Sequence, residues 1–258
     1  MTVEFKVVDQ VAYVTINRPE RMNAVDKVTD NALQQAWLTI EADSAIRCVV
    51  LSGAGDRAFC AGADMKSSSN LTGLEYWGNA NADGFGHISL RKTLNVPIIA
   101  KVNGFALGGG FEMVLGCDIV VATQESFFGL PEARVGRLPL DGGMVLLQRQ
   151  IPKKIAAGIL LSGRRLPASE ALEHGLINEV VSHDQLDDAV ERWVDDIKRC
   201  APLSVKALKY TLSNTGHMTP QEAQAHRSAP MIAALQSKDT EEGVQAFLEK
   251  RDPVWTGE

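Results

Sequence analysis

Residues 103–113 read NGFALGGGFEM: three consecutive glycines, then an acid set among apolar residues. Glycines let the backbone come close to a neighbour, and a helix that starts after them has free N–H groups at its first turn. Alone, such a run is a tight turn feeding a helix. Two more blocks share its form, AFCAGADM at 58–65 and FFGLPEARVGRLPLDGG at 127–143, and each of the three follows a strand-like run. Residues 47–52, 97–102 and 118–122 are short apolar runs bounded by Gly, Pro or Asp, as expected of strands covered on both faces. Strands alternating with helices over residues 1 to about 150 give an α/β core of repeated strand-and-helix turns.

Toward the N-terminus, residues 3–16 alternate as two strands around an Asp9-Gln10 turn, and Pro19 closes the second. Val28, Ala32, Ala36, Trp37 and Ile40 recur at helical spacing after Asp26, which is placed to cap that helix. Toward the C-terminus, Ser182 with Gln185 and Thr219-Pro220 with Glu222 have capping-box spacing. Helices are expected from there to the end, which divides the chain into a core over 1–200 and a helical region over 201–258. Met231, Leu235, Val244, Phe247 and Leu248 give that region apolar positions, either for folding back on the core or for a subunit interface. Lys66 to Asn95, with SSSN at 67–70 and many Gly and Asn, is expected to be irregular, mobile and a carrier of selectivity.

The chain has 258 residues, 45% hydrophobic and 22% charged, with net charge −6. That balance argues against a nucleic-acid partner. The N-terminus lacks the apolar core of a signal peptide, and no apolar run approaches the roughly 20 residues that cross a bilayer, so a cytoplasmic protein without a membrane partner is expected. Cys48, Cys60, Cys117 and Cys200 form no CxxC pair and are expected to be reduced thiols, mostly buried. The five histidines never form HExxH, so no metal site is expected.

A two-donor hole for an oxygen gaining negative charge is one combined reading of the blocks. Gly108–Gly110 lead into a helix expected to start near Phe111, and Ala61 offers a second N–H. Such a donor stabilises a transition state by about 2.7–4 kcal/mol. Glu112 in the first turn and Glu132 after the next strand bring two carboxylates to the same place. Each alone is also an ordinary solvated acid at a helix start. Together with the hole they suffice to hydrate a C=C bond conjugated to a carbonyl. A rival motif, Gly53-Ala54-Gly55-Asp56-Arg57-Ala58 with Glu75, has the spacing of a dinucleotide turn, but FCAGADM after it does not read as a helix. No GxxxxGK[ST] or GxSxG occurs.

INRPERMNAV at 16–25, AGAD, GGGFE, PEARVG and LSGRRLPASEALEHGLINEVV at 161–181 resemble the enoyl-CoA hydratase/isomerase (crotonase) superfamily over nearly the whole chain. The resemblance implies a spiral of repeated ββα units, a helical C-terminal trimerisation region and a homotrimer or a hexamer of two trimers. It implies an acyl-CoA substrate, with coenzyme A entering as part of it and no separate cofactor. By motif, the Ala61 and Gly109 amides would form the oxyanion hole, and Ala61, Gly62, Ala63 and Asp64 would line the CoA site. Glu112 and Glu132 match the two catalytic acids, with Glu132 usually protonating C2. The reaction implied is addition or removal of water across C2–C3. Double-bond isomerisation is the alternative within the family, and RNA binding by some members is the alternative outside catalysis. GGGFEM, LPEARVG and EKRDPVWTGE look like the carnitinyl-CoA dehydratase group. Leu140 and Asp141 depart from the Gly or Asp that commonly follows the Pro of the turn. Asp141 with Tyr76 and Trp77 reads either as a cation site or as a turn Asp and two packing aromatics.

Overall fold

The computed structural model describes residues 1–66 and 72–258. Strands β1 (Val3–Val8) and β2 (Val11–Ile16) form the expected antiparallel hairpin, with Asp9 and Gln10 both at positive φ as a tight two-residue turn requires. A single 3-10 turn, Pro19–Arg21, follows. Helix α1 (Lys27–Ala42) begins where Asp26 accepts the Thr29 N–H at 2.9 Å, and it buries Leu33, Ala36, Trp37 and Ile40.

After α1 the chain repeats one motif. Strand β3 (Cys48–Gly53) turns into β4 (Ala58–Cys60) and leads to α2 (Gly73–Gly78). Strand β5 (Ile98–Val102) turns into β6 (Phe105–Leu107) and α3 (Gly109–Leu115), and β7 (Ile119–Thr123) turns into β8 (Phe127–Gly129). Then come a 3-10 turn at Glu132–Val135, α4 (Gly143–Gln150), α5 (Lys153–Ser162), β9 (Leu166–Pro167), α6 (Ala168–Glu173) and β10 (Glu179–Val181). The helices α7 (Leu186–Lys198), α8 (Pro202–Asn214), α9 (Pro220–Ala225), α10 (Ala229–Gln236) and α11 (Asp239–Glu249) close the chain.

Among the described residues the strands form two sheets, ordered β1-β2-β3-β5-β7-β10 and β4-β6-β8-β9. Each ββ unit sends its first strand to the larger sheet and its second to the smaller one, which produces the spiral of ββα turns. The space between is filled by Val14, Leu51, Phe59, Phe111, Phe128 and their neighbours, all buried. The opposite face of the larger sheet buries Val11, Cys48, Val50, Ile99 and Val121 under Leu186, Ala189, Val190 and Val194 of α7. That double coverage explains why β3, β5 and β7 read as continuous apolar runs.

Three expectations need correction. The stretch from Lys66 to Asn95 contains α2, capped by a full capping box between Thr72 and Glu75, and a 3-10 turn at Phe85–His87; residues 67–71 of it lie outside the described residues. At Ser182 the hydroxyl bonds the Gln185 side chain at 3.0 Å instead of a helix N–H, and a 3-10 turn precedes α7; Thr219–Glu222 does form its box. The helix after the glycine run starts at Gly109, two residues before Phe111.

The C-terminal helices fold back on the core in part. Lys209 of α8 is buried, with Nζ 2.6 and 2.7 Å from the two oxygens of Asp118, whose Oδ2 also accepts the Ile98 N–H at 2.8 Å. Trp255 Nε1 donates to Arg199 O at 2.8 Å. Leu208, Leu212, Leu235, Phe247 and Leu248 nevertheless remain exposed. Among the described residues no helix is long and apolar enough to cross a membrane.

Candidate active site

Strands β4, β6 and β8 run parallel in the smaller sheet, and their C-terminal ends carry the three sequence blocks. Crevices outside the carboxyl ends of parallel strands are the usual ligand sites of open α/β sheets. From β4 the chain continues into Ala61–Asp64, from β6 into Gly108 and Gly109, and from β8 into Glu132.

The glycine run owes its composition to two constraints. Gly108 has φ +54 where the chain turns from β6 into α3, and a Cβ on Gly110 would stand 2.2 Å from Cys60 O, so α3 packs its first turn against β4. Phe111 and Glu112 both donate to Gly108 O, at 2.9 and 3.0 Å. The Gly109 N–H, at the start of the helix, has no acceptor among the described residues.

Ala61 does not provide the second donor. Its N–H is donated to Met22 O at 3.0 Å. Two residues on, Val25 donates to Gly62 O at 2.8 Å and Asp64 donates to Val25 O at 2.9 Å, a parallel bridge centred on Val25 and Ala63. Groups along an extended chain alternate in direction, so the Ala63 N–H points away from Val25. It has no acceptor among the described residues, and Ala63 is exposed. The position of a Cβ on the intervening Gly62 lies 3.1 Å from Gly109 N, which places the 61–63 turn beside the start of α3. Free amides therefore come from Ala63 and Gly109. Asp64 is buried, and its carboxylate is paired with Arg18 Nη2 at 3.0 Å and accepts the Lys66 N–H at 3.1 Å, so that side chain anchors the turn.

Glu112 is 2% exposed, and its Oε1 accepts the N–H groups of Asp141 at 3.0 Å and Gly143 at 2.8 Å. Burial raises its pKa to about 8; the charges of Asp141 and Glu132 add to the rise, and the two amides oppose it. Glu132 lies against the glycine turn, since a Cβ on Gly108 would stand 3.1 Å from its Oε1. Its Oε2 is buried with no hydrogen-bond partner, and desolvation raises its pKa as well. Glu132 is among the charges that act on Glu112, so the two acids singled out from the sequence lie near each other.

Residues missed from the sequence are the amides that hold Glu112. The DGG at 141–143 was visible, but nothing local ties it to an acid about thirty residues earlier. Asp141 is 6% exposed, and burial raises its pKa. Its Oδ2 accepts the Tyr76 hydroxyl, whose own pKa burial and Asp141 raise; Trp77 is exposed. The rival dinucleotide turn at Gly53–Ala58 leads into β4, a strand, where that motif needs a helix.

The model of the enoyl-CoA hydratase/isomerase family matches residues 6–258. The chain is 36% identical over 248 residues to a carnitinyl-CoA dehydratase of Salmonella enteritidis PT4, spanning 95% of this chain and 94% of that one. Among solved structures, an enoyl-CoA hydratase of Mycobacterium tuberculosis H37Rv matches with TM-score 0.90 and 32% identity, covering 100% of this chain and 99% of that one. An enoyl-CoA hydratase of Bacillus anthracis matches with TM-score 0.91 and 29% identity over 100% of both.

Proposed function

The chain belongs to the enoyl-CoA hydratase/isomerase family, and on that premise we propose that it adds water to, or removes it from, the C2–C3 bond of a CoA thioester. The observation that carries the reading is buried Glu112 together with Glu132, whose Oε2 is buried and unpartnered, beside two free backbone amides. The thioester oxygen sits between the Ala63 and Gly109 N–H groups, which stabilise the enolate-like charge that builds on it. The Ala61–Asp64 turn then faces the CoA end of the substrate.

Water addition needs one ionised and one protonated carboxyl. Two backbone donors on Glu112 Oε1 favour its anion, whereas Glu132 has an unpartnered oxygen and is desolvated, which favours its acid form. Burial raises Glu112 to about 8, so its base form grows as pH rises toward that value. Glu112 then takes a proton from water as the water oxygen bonds to C3, and Glu132 delivers its proton to C2. Dehydration is the reverse.

Isomerisation of a 3-enoyl thioester needs only the hole and one base, and the presence of a second acid favours hydration over it. The likeness to a carnitinyl-CoA dehydratase supports dehydration of a 3-hydroxyacyl thioester as the finer reading. The apolar side chains left exposed on α8, α10 and α11 support assembly as a trimer, or as a hexamer of two trimers. Product analysis separates the two chemistries: a hydratase gives 3-hydroxyacyl-CoA from a 2-enoyl-CoA, and a pure isomerase gives none.

A further inference from the structure

Ser89 stands where two chain segments meet behind Glu112. It is 3% exposed, in the turn that follows the Phe85–His87 3-10 turn, and its Oγ accepts the Phe85 N–H at 2.8 Å. That bond occupies a lone pair and leaves the hydroxyl proton for the Asp141 carbonyl, which accepts it. The packing at this point is close, since a Cβ on Gly84 would stand 2.1 Å from Ser89 Oγ and 2.8 Å from Asp141 O.

The backbone of Ser89 touches the helix that carries Glu112. A Cβ on Gly116, the residue that ends α3, would stand 2.7 Å from Ser89 Cα, and the Gly116 N–H donates to Glu112 O at 3.2 Å. The hydroxyl of the same serine holds the Asp141 carbonyl, which lies in the chain between the two amides given to Glu112 Oε1, Asp141 N at 3.0 Å and Gly143 N at 2.8 Å. One residue therefore bridges the helix that supplies the carboxyl and the loop that aims it. A buried carbonyl that loses its donor is costly to leave unpaired, so the loop shifts when the hydroxyl is removed.

We propose that Ser89 is a positioning residue for water addition, its hydroxyl fixing the 141–143 backbone so that the Glu112 carboxyl meets the reacting water in a single orientation. The proposal rests on the hydration reading above. Ser89 itself touches neither water nor thioester and acts through Glu112. A displacement of about 1 Å at a reacting group costs about a hundredfold in rate, which makes such a bridge visible in kinetics.

Hydration of crotonyl-CoA and γ-trimethylammoniocrotonyl-CoA by the full chain, followed as loss of enoyl-thioester absorbance, tests this. Ser89→Ala is expected to lower kcat about ten- to a hundredfold with KM within about twofold, because placement of the base is felt in the transition state. In a Glu112→Gln background no base remains to be placed, and adding Ser89→Ala is expected to change the residual kcat by less than about twofold. Ser89→Cys keeps a weaker donor and acceptor at the same point and is expected to fall between wild type and Ser89→Ala. It carries both arms of the test if Ser89→Ala does not fold. Undiminished kcat in the Ser89 variants, or an equal loss with and without the Glu112 carboxyl, overturns the proposal while wild-type turnover leaves the hydration reading standing. If folded wild type hydrates neither thioester, both fail.

Discussion

Asp141 donates its backbone N–H to Glu112 Oε1 at 3.0 Å, so the loop that follows Pro139 holds one oxygen of a buried acid in place. Burial of that acid opposes stability as pH rises. With its pKa raised from the ordinary 4.5 to about 8, Glu112 keeps its proton in the folded chain at pH values where the unfolded chain has lost it. Stability from this group is therefore full below about pH 4.5 and falls as pH rises toward 8. Glu112→Gln keeps an oxygen for both amides and removes the ionisation. It is expected to gain about 1–2 kcal/mol over wild type at pH 8.5 and little at pH 5. Denaturant titrations at the two pH values check this, and identical pH slopes for both proteins contradict it.

The assignment of the hole to Ala63 is tested by replacing the amide N–H with an ester oxygen, using lactic acid in place of alanine. At position 63 kcat is expected to fall about a hundred- to a thousandfold with the melting temperature held. At position 61 the lost bond to Met22 O lowers the melting temperature instead. A large kcat loss at 61 and none at 63 returns the donor to Ala61.

Much of this was legible beforehand because it is local. The apolar runs of β3, β5 and β7, the Asp26 cap and the Thr219–Glu222 box depend on neighbours in sequence, and the glycines announced a close approach. Glu112 and Glu132 were recognisable because each ends a strand-turn block. What was hidden depends on distant partners. Whether Ala61 or Ala63 presents its N–H is decided by Val25, whose strand-like bridge sets which amides alternate inward. Asp141 acquires meaning only from Tyr76, sixty-five residues earlier, on a helix that lay in a stretch rich in Gly and Asn.

Lys209 ties α8 to the start of β5 through Asp118. Lys209→Met leaves Asp118 without its cation and is expected to cost about 3 kcal/mol, seen as a lower urea midpoint with unchanged slope. Adding Asp118→Asn to that variant recovers part of the loss. A single variant as stable as wild type contradicts the account.

The exposed apolar residues of α8, α10 and α11 are expected to be covered by other copies of the chain. Light scattering should give three or six times the 27.9 kDa protomer mass, and Leu235→Glu with Phe247→Glu should give the protomer alone. A wild-type protein that is monomeric at micromolar concentration contradicts assembly through this face.

The most direct measurement is the loss of enoyl-thioester absorbance when wild type, Glu112→Gln and Glu132→Gln meet crotonyl-CoA and γ-trimethylammoniocrotonyl-CoA. The account predicts hydration by wild type and a fall of about a hundred- to ten-thousandfold in kcat in each variant, because each carboxyl moves a different proton. Hydration surviving undiminished in either variant contradicts the two-carboxylate mechanism.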